Sequence, residues 1–179
     1  MLSSAEQLRF VQYQLNYEFR DISRLVPCFK AAHRSDLDGI AEDGNRGLAR
    51  VGVKIIDLVE KRHFPEVGEE SRGRTKEHML KTDRADNLQD FALKRSDWMR
   101  SKRMRAAACD QLGFTSLIAT SVRQGNVTPS EKVRAFAVGA IVAAVFDDLC
   151  DQKEDTASVL EKIRDLLGLL AYVHYWEMR

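Results

Sequence analysis

SEKVRAFAVGAIVAAVFDD, residues Ser130 to Asp148, contains the longest apolar run of the chain. Thr128-Pro129 followed by Glu131 fits a helix N-cap with proline at the first helical position. The longest apolar run, Ala135 to Phe146, is too short to span a bilayer, and its small residues suit close packing against another helix. We therefore expect an interior helix near residues 129–150 and no association with a membrane.

The pattern on both sides of this stretch is also helical. Only three prolines occur, Pro27, Pro65 and Pro129, and apolar residues recur at spacings of three and four over long segments. Val67 to Asp86 is polar, contains two glycines and shows no clear periodicity, which is typical of a loop or an insertion. These features predict a single all-α domain over residues 1–179 with a polar insertion near 68–86. Helices are predicted near residues 4–15, 21–31, 45–62, 85–100, 102–112, 115–122, 129–150 and 156–175.

Composition limits the functions that the chain can have. Lys and Arg total 28 against 27 Asp and Glu, so any affinity for nucleic acid must come from a local basic patch. The cysteines Cys28, Cys109 and Cys150 lie far apart without a CxxC pair, which favours buried, reduced thiols. No apolar signal segment opens the chain, so we expect an intracellular, reducing location, with cytoplasm, nucleus and mitochondrion left open. No zinc-ligand spacing and no phosphate-binding loop occur in the sequence, so no cofactor is expected.

Several short motifs, taken in order and spacing, resemble the ribonuclease III family over roughly residues 10 to 170. They are LNYEFRDISRLVPCFKAAHRS from Leu15 with its His33-Arg34-Ser35 end, NRGLARVGVKII from Asn45, KRHFPE from Lys61, Leu112-Gly113-Phe114, and SEKVRAFAVGAIVAAVFDD from Ser130. The resemblance implies a ribonuclease III-like helical domain, without a separate domain for binding double-stranded RNA.

The same resemblance implies that the catalytic acids are missing. Two-metal hydrolysis of a phosphodiester needs several carboxylates that converge on divalent cations. No Asp or Glu occurs in residues 48–54 or 133–146, so a small shift of register would not restore them. We therefore expect a non-cleaving relative without a metal site. The positions that the family pattern assigns to metal-binding acids are Arg46, Ala49, Val53, Phe136 and Gly139.

Acidic residues elsewhere leave an alternative open. Asp57 lies one helical turn beyond Val53, and Asp147, Asp148 and Asp151 follow the second motif helix. A displaced metal site built from such acids would make the protein an active, Mg²⁺-dependent endoribonuclease that cleaves double-stranded RNA. The simpler interpretation is that they are solvated charges at helix ends.

Lys94 to Arg105, KRSDWMRSKRMR, is the most basic stretch and the best candidate for contact with RNA. Cations along a helix can follow phosphates, and RNA bound in this way is held with modest, salt-sensitive affinity. The alternative is a solvated basic face with Trp98 and Met104 packed inward. The predicted RNA-binding residues are Arg72, Arg74, Lys94, Arg95, Arg100, Lys102, Arg103 and Arg105.

The resemblance also implies a dimer, because these domains usually pair through the first motif helix. Arg50, Val51 and Val53 are the predicted interface residues, although core packing explains the two valines equally well. Arg50 stands where the family often has an aromatic side chain, so pairing is expected to be weaker or directed at a different, acidic chain. The partner is thus a second copy or another ribonuclease III-like chain.

These observations give a leading hypothesis and two alternatives. The leading one is a non-catalytic, ribonuclease III-like scaffold that binds double-stranded RNA or protein in RNA processing or on a ribosome. The alternatives are the active endoribonuclease with displaced acids and a pure protein-interaction module.

Overall fold

The structure, a computed structural model, describes residues 4–31, 33–34, 41–63, 101–119 and 128–177. The described chain is predominantly helical, which confirms the all-α prediction. The polar insertion near 68–86 and the predicted helix near 85–100 lie outside the described residues. The elements are α1 (Ser4–Leu15), a 3-10 helix (Ile22–Phe29), β1 (His33–Arg34), β2 (Ala41–Glu42), α2 (Arg46–His63), α3 (Lys102–Gln111), a short 3-10 helix (Phe114–Leu117), α4 (Glu131–Asp151) and α5 (Thr156–Glu177).

The five α-helices agree closely with the predicted ranges, and two other segments do not. Ile22–Phe29 is a 3-10 helix, and Pro27 within it has no amide hydrogen for a regular α-helical ladder. Of the segment predicted as a helix near 115–122, the described part forms one turn of 3-10 helix at Phe114–Leu117, and residues 120–122 lie outside the described residues. After that turn the chain extends, and the Ala119 amide donates to the Phe29 carbonyl at 2.8 Å.

Helix α4 is the centre of the hydrophobic core. Nearly every residue from Ala135 to Val145 is buried, because α2, α3, α5 and the first 3-10 helix pack around it. The helix begins at Glu131, after the proline that was predicted to occupy its first turn. Within the described ranges, no helix is both long and apolar enough to cross a membrane. The apolar run therefore supplies the interior of the domain.

The helix backbones come into direct contact at the α2–α4 crossing, which we define by Ala49, Gly52 and Gly139. A Cβ atom added to Gly52 would lie 1.8 Å from the Gly139 carbonyl oxygen. A Cβ atom added to Gly139 would lie 3.1 Å from the Ala49 carbonyl oxygen. The two helix backbones touch here because both glycines lack side chains.

Asn45 fixes the start of α2 at this crossing. Its side-chain amide donates to the Cys28 carbonyl at 2.8 Å, and its backbone amide donates to the Lys30 carbonyl at 2.8 Å. Asn45 is buried, so both bonds satisfy groups that water does not reach. The N-terminus of α2 is thereby tied to the end of the first 3-10 helix.

The cysteines are all free thiols, but their surroundings differ. Cys28 and Cys109 are buried, as predicted, whereas Cys150 is exposed and the prediction of a buried thiol is wrong there. Cys150 lies in the last turn of α4, where the helix leaves the core. Burial raises the pKa of Cys28 and of Cys109 to about 12.

Replacing Gly52 with alanine should strongly destabilise the fold. The added methyl group has no space against the Gly139 backbone, so we expect Gly52→Ala to lower the free energy of unfolding by at least about 2 kcal/mol. Urea denaturation measures this. Gly168→Ala is the matched control, since a Cβ atom there meets nothing within 4 Å and the helix should gain up to about 1 kcal/mol. Equal effects of the two substitutions would contradict the close approach.

The buried thiols predict a loss of stability in alkali. Above the ordinary thiol pKa of 9.0, unfolded cysteines ionise while the folded thiols stay protonated until about pH 12. Rising pH in this window therefore favours the unfolded chain, by about 1.4 kcal/mol per pH unit for each thiol. Urea titrations between pH 8.5 and 11 give the free energy of unfolding at each pH. This free energy should fall less steeply with pH in the Cys28→Ala/Cys109→Ala variant than in the wild type. Parallel slopes for variant and wild type would contradict the assignment.

Candidate functional site

Two of the five positions that the ribonuclease III pattern would assign to metal-binding acids, Ala49 and Gly139, meet at the α2–α4 crossing. Ala49 is 1 % exposed, and its Cα atom would lie 3.3 Å from a Cβ atom built on Gly139. Val53 and Phe136 are half-buried on the two crossing helices, whereas Arg46 is exposed at the start of α2. Of the five positions that the resemblance singled out, Ala49 and Gly139 are thus in contact in the fold.

The geometry of the crossing leaves no space for a carboxylate at its centre. An acid at position 139 would have to direct its side chain from a Cβ atom already 3.1 Å from the Ala49 oxygen. An acid at position 49 would have to fit into a buried site that now accommodates one methyl group. The backbone contact therefore leaves no space at its centre for carboxylate ligands with a metal ion between them.

Asp148, one of the alternative acids, forms a buried cluster with the segment that follows α1. It is 1 % exposed, and its Oδ2 atom accepts hydrogen bonds from the Tyr17 hydroxyl at 2.8 Å and the Arg20 amide at 3.2 Å. Gln152 Nε2 donates to the same oxygen at 3.0 Å. Oδ1 accepts a weaker bond from the Asp21 amide at 3.4 Å. Both carboxylate oxygens are therefore used inside the protein.

Two arginine-carboxylate contacts complete this Asp148 cluster. Arg24 Nε lies 3.7 Å from Asp148 Oδ1, and the other side of the same guanidinium pairs with Asp151. Burial and the adjacent Asp148 carboxylate raise the pKa of Tyr17 above its usual value, so its hydroxyl stays protonated and donates. The cluster joins the C-terminal end of α4 to the N-terminal segment and acts as a structural clamp.

The remaining alternative acids lie in other settings. Asp147 is exposed, and Asp57 on α2 lies 4.0 Å from Lys54 Nζ. Among the residues that the structure describes, no three His, Cys, Asp or Glu side chains are grouped closely enough to hold a metal ion. The displaced acids therefore do not assemble into a metal centre within the described ranges.

The predicted RNA-binding residues are only partly described. Lys102 and Arg103 are exposed in the first turn of α3, as an RNA-contacting surface requires. Arg105 is 4 % exposed, and its burial lowers the pKa of the guanidinium while the negative charges of Asp57 and Glu60 oppose that shift. The structure thus gives Arg105 a place inside the fold, beside α2, and not on the predicted RNA-facing surface. Arg72, Arg74, Lys94, Arg95 and Arg100 lie outside the described residues.

A second basic surface was not identified from the sequence. We call Arg46, Arg50, Lys54 and Lys61 the basic row; all four are exposed on the outer side of α2. The signal was present as cations at intervals of four and seven between the buried apolar positions of the helix. Because these cations are separated by apolar residues, they do not form a continuous basic run in the sequence.

The predicted dimer residues are split between surface and interior. Arg50 is exposed and Val51 is 49 % exposed, whereas Val53 is half-buried beside the α2–α4 crossing. Leu58, seven residues after Val51 and on the same side of the helix, is also 49 % exposed. Two large apolar side chains thus lie on the outer face of α2, next to the basic row.

Comparison with known proteins does not identify the chain: no family model matches it, and no significant match to a curated protein is found. The all-α fold and the geometry described above are therefore the basis for any statement about function.

The Asp148 cluster predicts that Tyr17 contributes to stability through its hydroxyl group. Tyr17→Phe should lower the free energy of unfolding by about 1 to 2 kcal/mol, because a buried carboxylate loses one of its donors. Chemical denaturation checks this. Tyr13→Phe is the control and should have no effect, since Tyr13 is 81 % exposed.

A double-mutant cycle with Asp148→Asn tests the contact directly. The Tyr17 and Asp148 substitutions should be coupled by about 1 kcal/mol, since the hydroxyl and the carboxylate interact with each other. Additive effects would show that the hydroxyl contributes through some other contact.

Proposed function

We propose that the protein is a ribonuclease III-like domain without hydrolytic activity that serves as a scaffold binding double-stranded RNA. The observation that carries this proposal is the α2–α4 crossing. Ala49 and Gly139, which the family pattern would require to be acidic, are buried in a contact too close for side-chain carboxylates. A two-metal centre at this place would need the two helices to separate.

The environment of Asp148 favours a non-catalytic protein over the endoribonuclease with displaced acids. Asp148 is buried, and its two oxygens accept hydrogen bonds from Tyr17, Arg20, Asp21 and Gln152. A metal ion at Asp148 would have to displace donors that hold the N-terminal segment against α4. Hydrolysis by these acids would therefore conflict with the stability of the domain.

The RNA part of the proposal is supported by the exposed cations of α3. Lys102 and Arg103 follow each other in the first helical turn, where both side chains reach solvent. Contacts to phosphate oxygens do not read sequence, and two such contacts give weak affinity that falls steeply with salt. This fits a chain whose overall charge is close to zero.

We expect no Mg²⁺-dependent cleavage of a long RNA duplex, but measurable binding to it. With about two phosphate contacts, the dissociation constant should rise roughly tenfold between 50 and 200 mM salt. Gel electrophoresis of the RNA measures cleavage, and fluorescence anisotropy measures binding. Lys102→Glu/Arg103→Glu should weaken binding about tenfold, while Arg9→Glu/Lys132→Glu, which changes two exposed cations on other helices, should have a much smaller effect.

Two results would overturn this proposal. Mg²⁺-dependent turnover that is lost in Asp57→Asn or Asp148→Asn, with the fold intact by circular dichroism, would establish displaced catalytic acids. Affinity for duplex RNA that does not change with salt, or its complete absence, would remove the RNA function and leave a protein-interaction module.

A further inference from the structure

The outer face of α2 combines charge and apolar surface in an ordered way. At about 100° per residue, the basic row of Arg46, Arg50, Lys54 and Lys61 falls within an arc of about 80°. Val51 and Leu58, each 49 % exposed, lie along the adjacent arc of the same face. The helix therefore presents two parallel stripes, one basic and one apolar, which we call the α2 docking face.

The charge on this face is largely uncompensated. Lys54 lies 4.0 Å from Asp57 Oδ2, and that carboxylate also contributes to the environment of the buried Arg105. Within the described part of the chain, Arg46, Arg50 and Lys61 form no ion pair. A partner of negative charge would thus meet a positive field that the described residues offset only at Lys54, through Asp57.

We propose that the α2 docking face binds an acidic amphipathic helix of a partner protein. Carboxylates four residues apart on such a helix recur at about the 6 Å interval of the cations at Arg46, Arg50 and Lys54. Apolar residues seven apart on the partner would cover Val51 and Leu58. Two helices that cross at about 20° keep these stripes together over several turns, which the 18 residues of α2 provide.

A second copy of the chain fits this face poorly. Symmetric pairing through the outer side of α2 places one basic row against the other, and like charges brought together at an interface oppose association. Duplex RNA would neutralise the cations but would leave Val51 and Leu58 half in water, since a phosphate backbone offers no apolar surface to them. An acidic amphipathic helix would pair with the basic row and also cover Val51 and Leu58. This proposal does not depend on the RNA-binding function proposed above.

The test uses the full chain and a synthetic helical peptide of about 20 residues. The peptide carries glutamates at i, i+4 and i+8 and leucines seven apart on the adjacent stripe, and a scrambled peptide of identical composition is the control. Fluorescence anisotropy should give at least about tenfold tighter binding for the patterned peptide, weakening as salt increases. Equal binding of the two peptides would overturn the proposal.

Two variants of the protein separate the contributions of the stripes. Arg50→Glu/Lys54→Glu and Val51→Ser/Leu58→Ser should each weaken binding of the patterned peptide about tenfold. Arg9→Glu/Lys132→Glu alters charge equally on exposed residues elsewhere and should change binding less than about threefold. All the substituted residues are exposed, so circular dichroism should show an unchanged fold.

Other occupants would give different results, each contradicting the proposal. If duplex RNA binding requires Arg50 and Lys54 but not Val51 and Leu58, and the peptides bind equally, then the face is a phosphate-binding surface. If light scattering detects a dimer that Val51→Ser/Leu58→Ser dissociates, then a second copy covers it. Peptide binding lost in the α2 variants, with RNA binding lost only in Lys102→Glu/Arg103→Glu, would support both proposals separately.

Discussion

The contact between the backbones of α2 and α4 at Gly52 and Gly139 is the constraint on which the rest of the structure depends. It allows these two core helices to approach more closely than any pair of side chains would permit. The other helices pack around α4, whose alanines and valines provide a surface without polar groups. A core of this kind is stabilised by close packing of small side chains, and it leaves no interior polar cavity at the crossing.

The same contact has a chemical consequence. A site for divalent cations requires acidic side chains and space for ions between them, whereas the crossing of Ala49 and Gly139 has neither. The buried carboxylate of Asp148 has a structural role, because it accepts hydrogen bonds from the Tyr17 hydroxyl and from neighbouring backbone amides. The buried Asp148 carboxylate thus joins α4 to the segment that follows α1.

The exposed faces of the helices provide charged surfaces for interaction. Lys102 and Arg103 on α3 and the basic row on α2 give the protein local positive charge despite an almost neutral composition. Among the described residues, exposed aliphatic side chains border the surface on α2 and not that on α3. The two proposed partners, duplex RNA for α3 and a protein helix for α2, correspond to this difference.

The sequence by itself determined the helical class, the ranges of the five α-helices and the absence of acids from positions 48–54 and 133–146. Periodicity and residue identity are local properties, so no tertiary information was needed for them. Only the tertiary structure decided that Arg105 is buried, that Cys150 is exposed and that Asp148 is enclosed by Tyr17, which lies 131 residues away. Burial and hydrogen bonding of this kind depend on which distant segments meet, and a local pattern of residues does not contain that information.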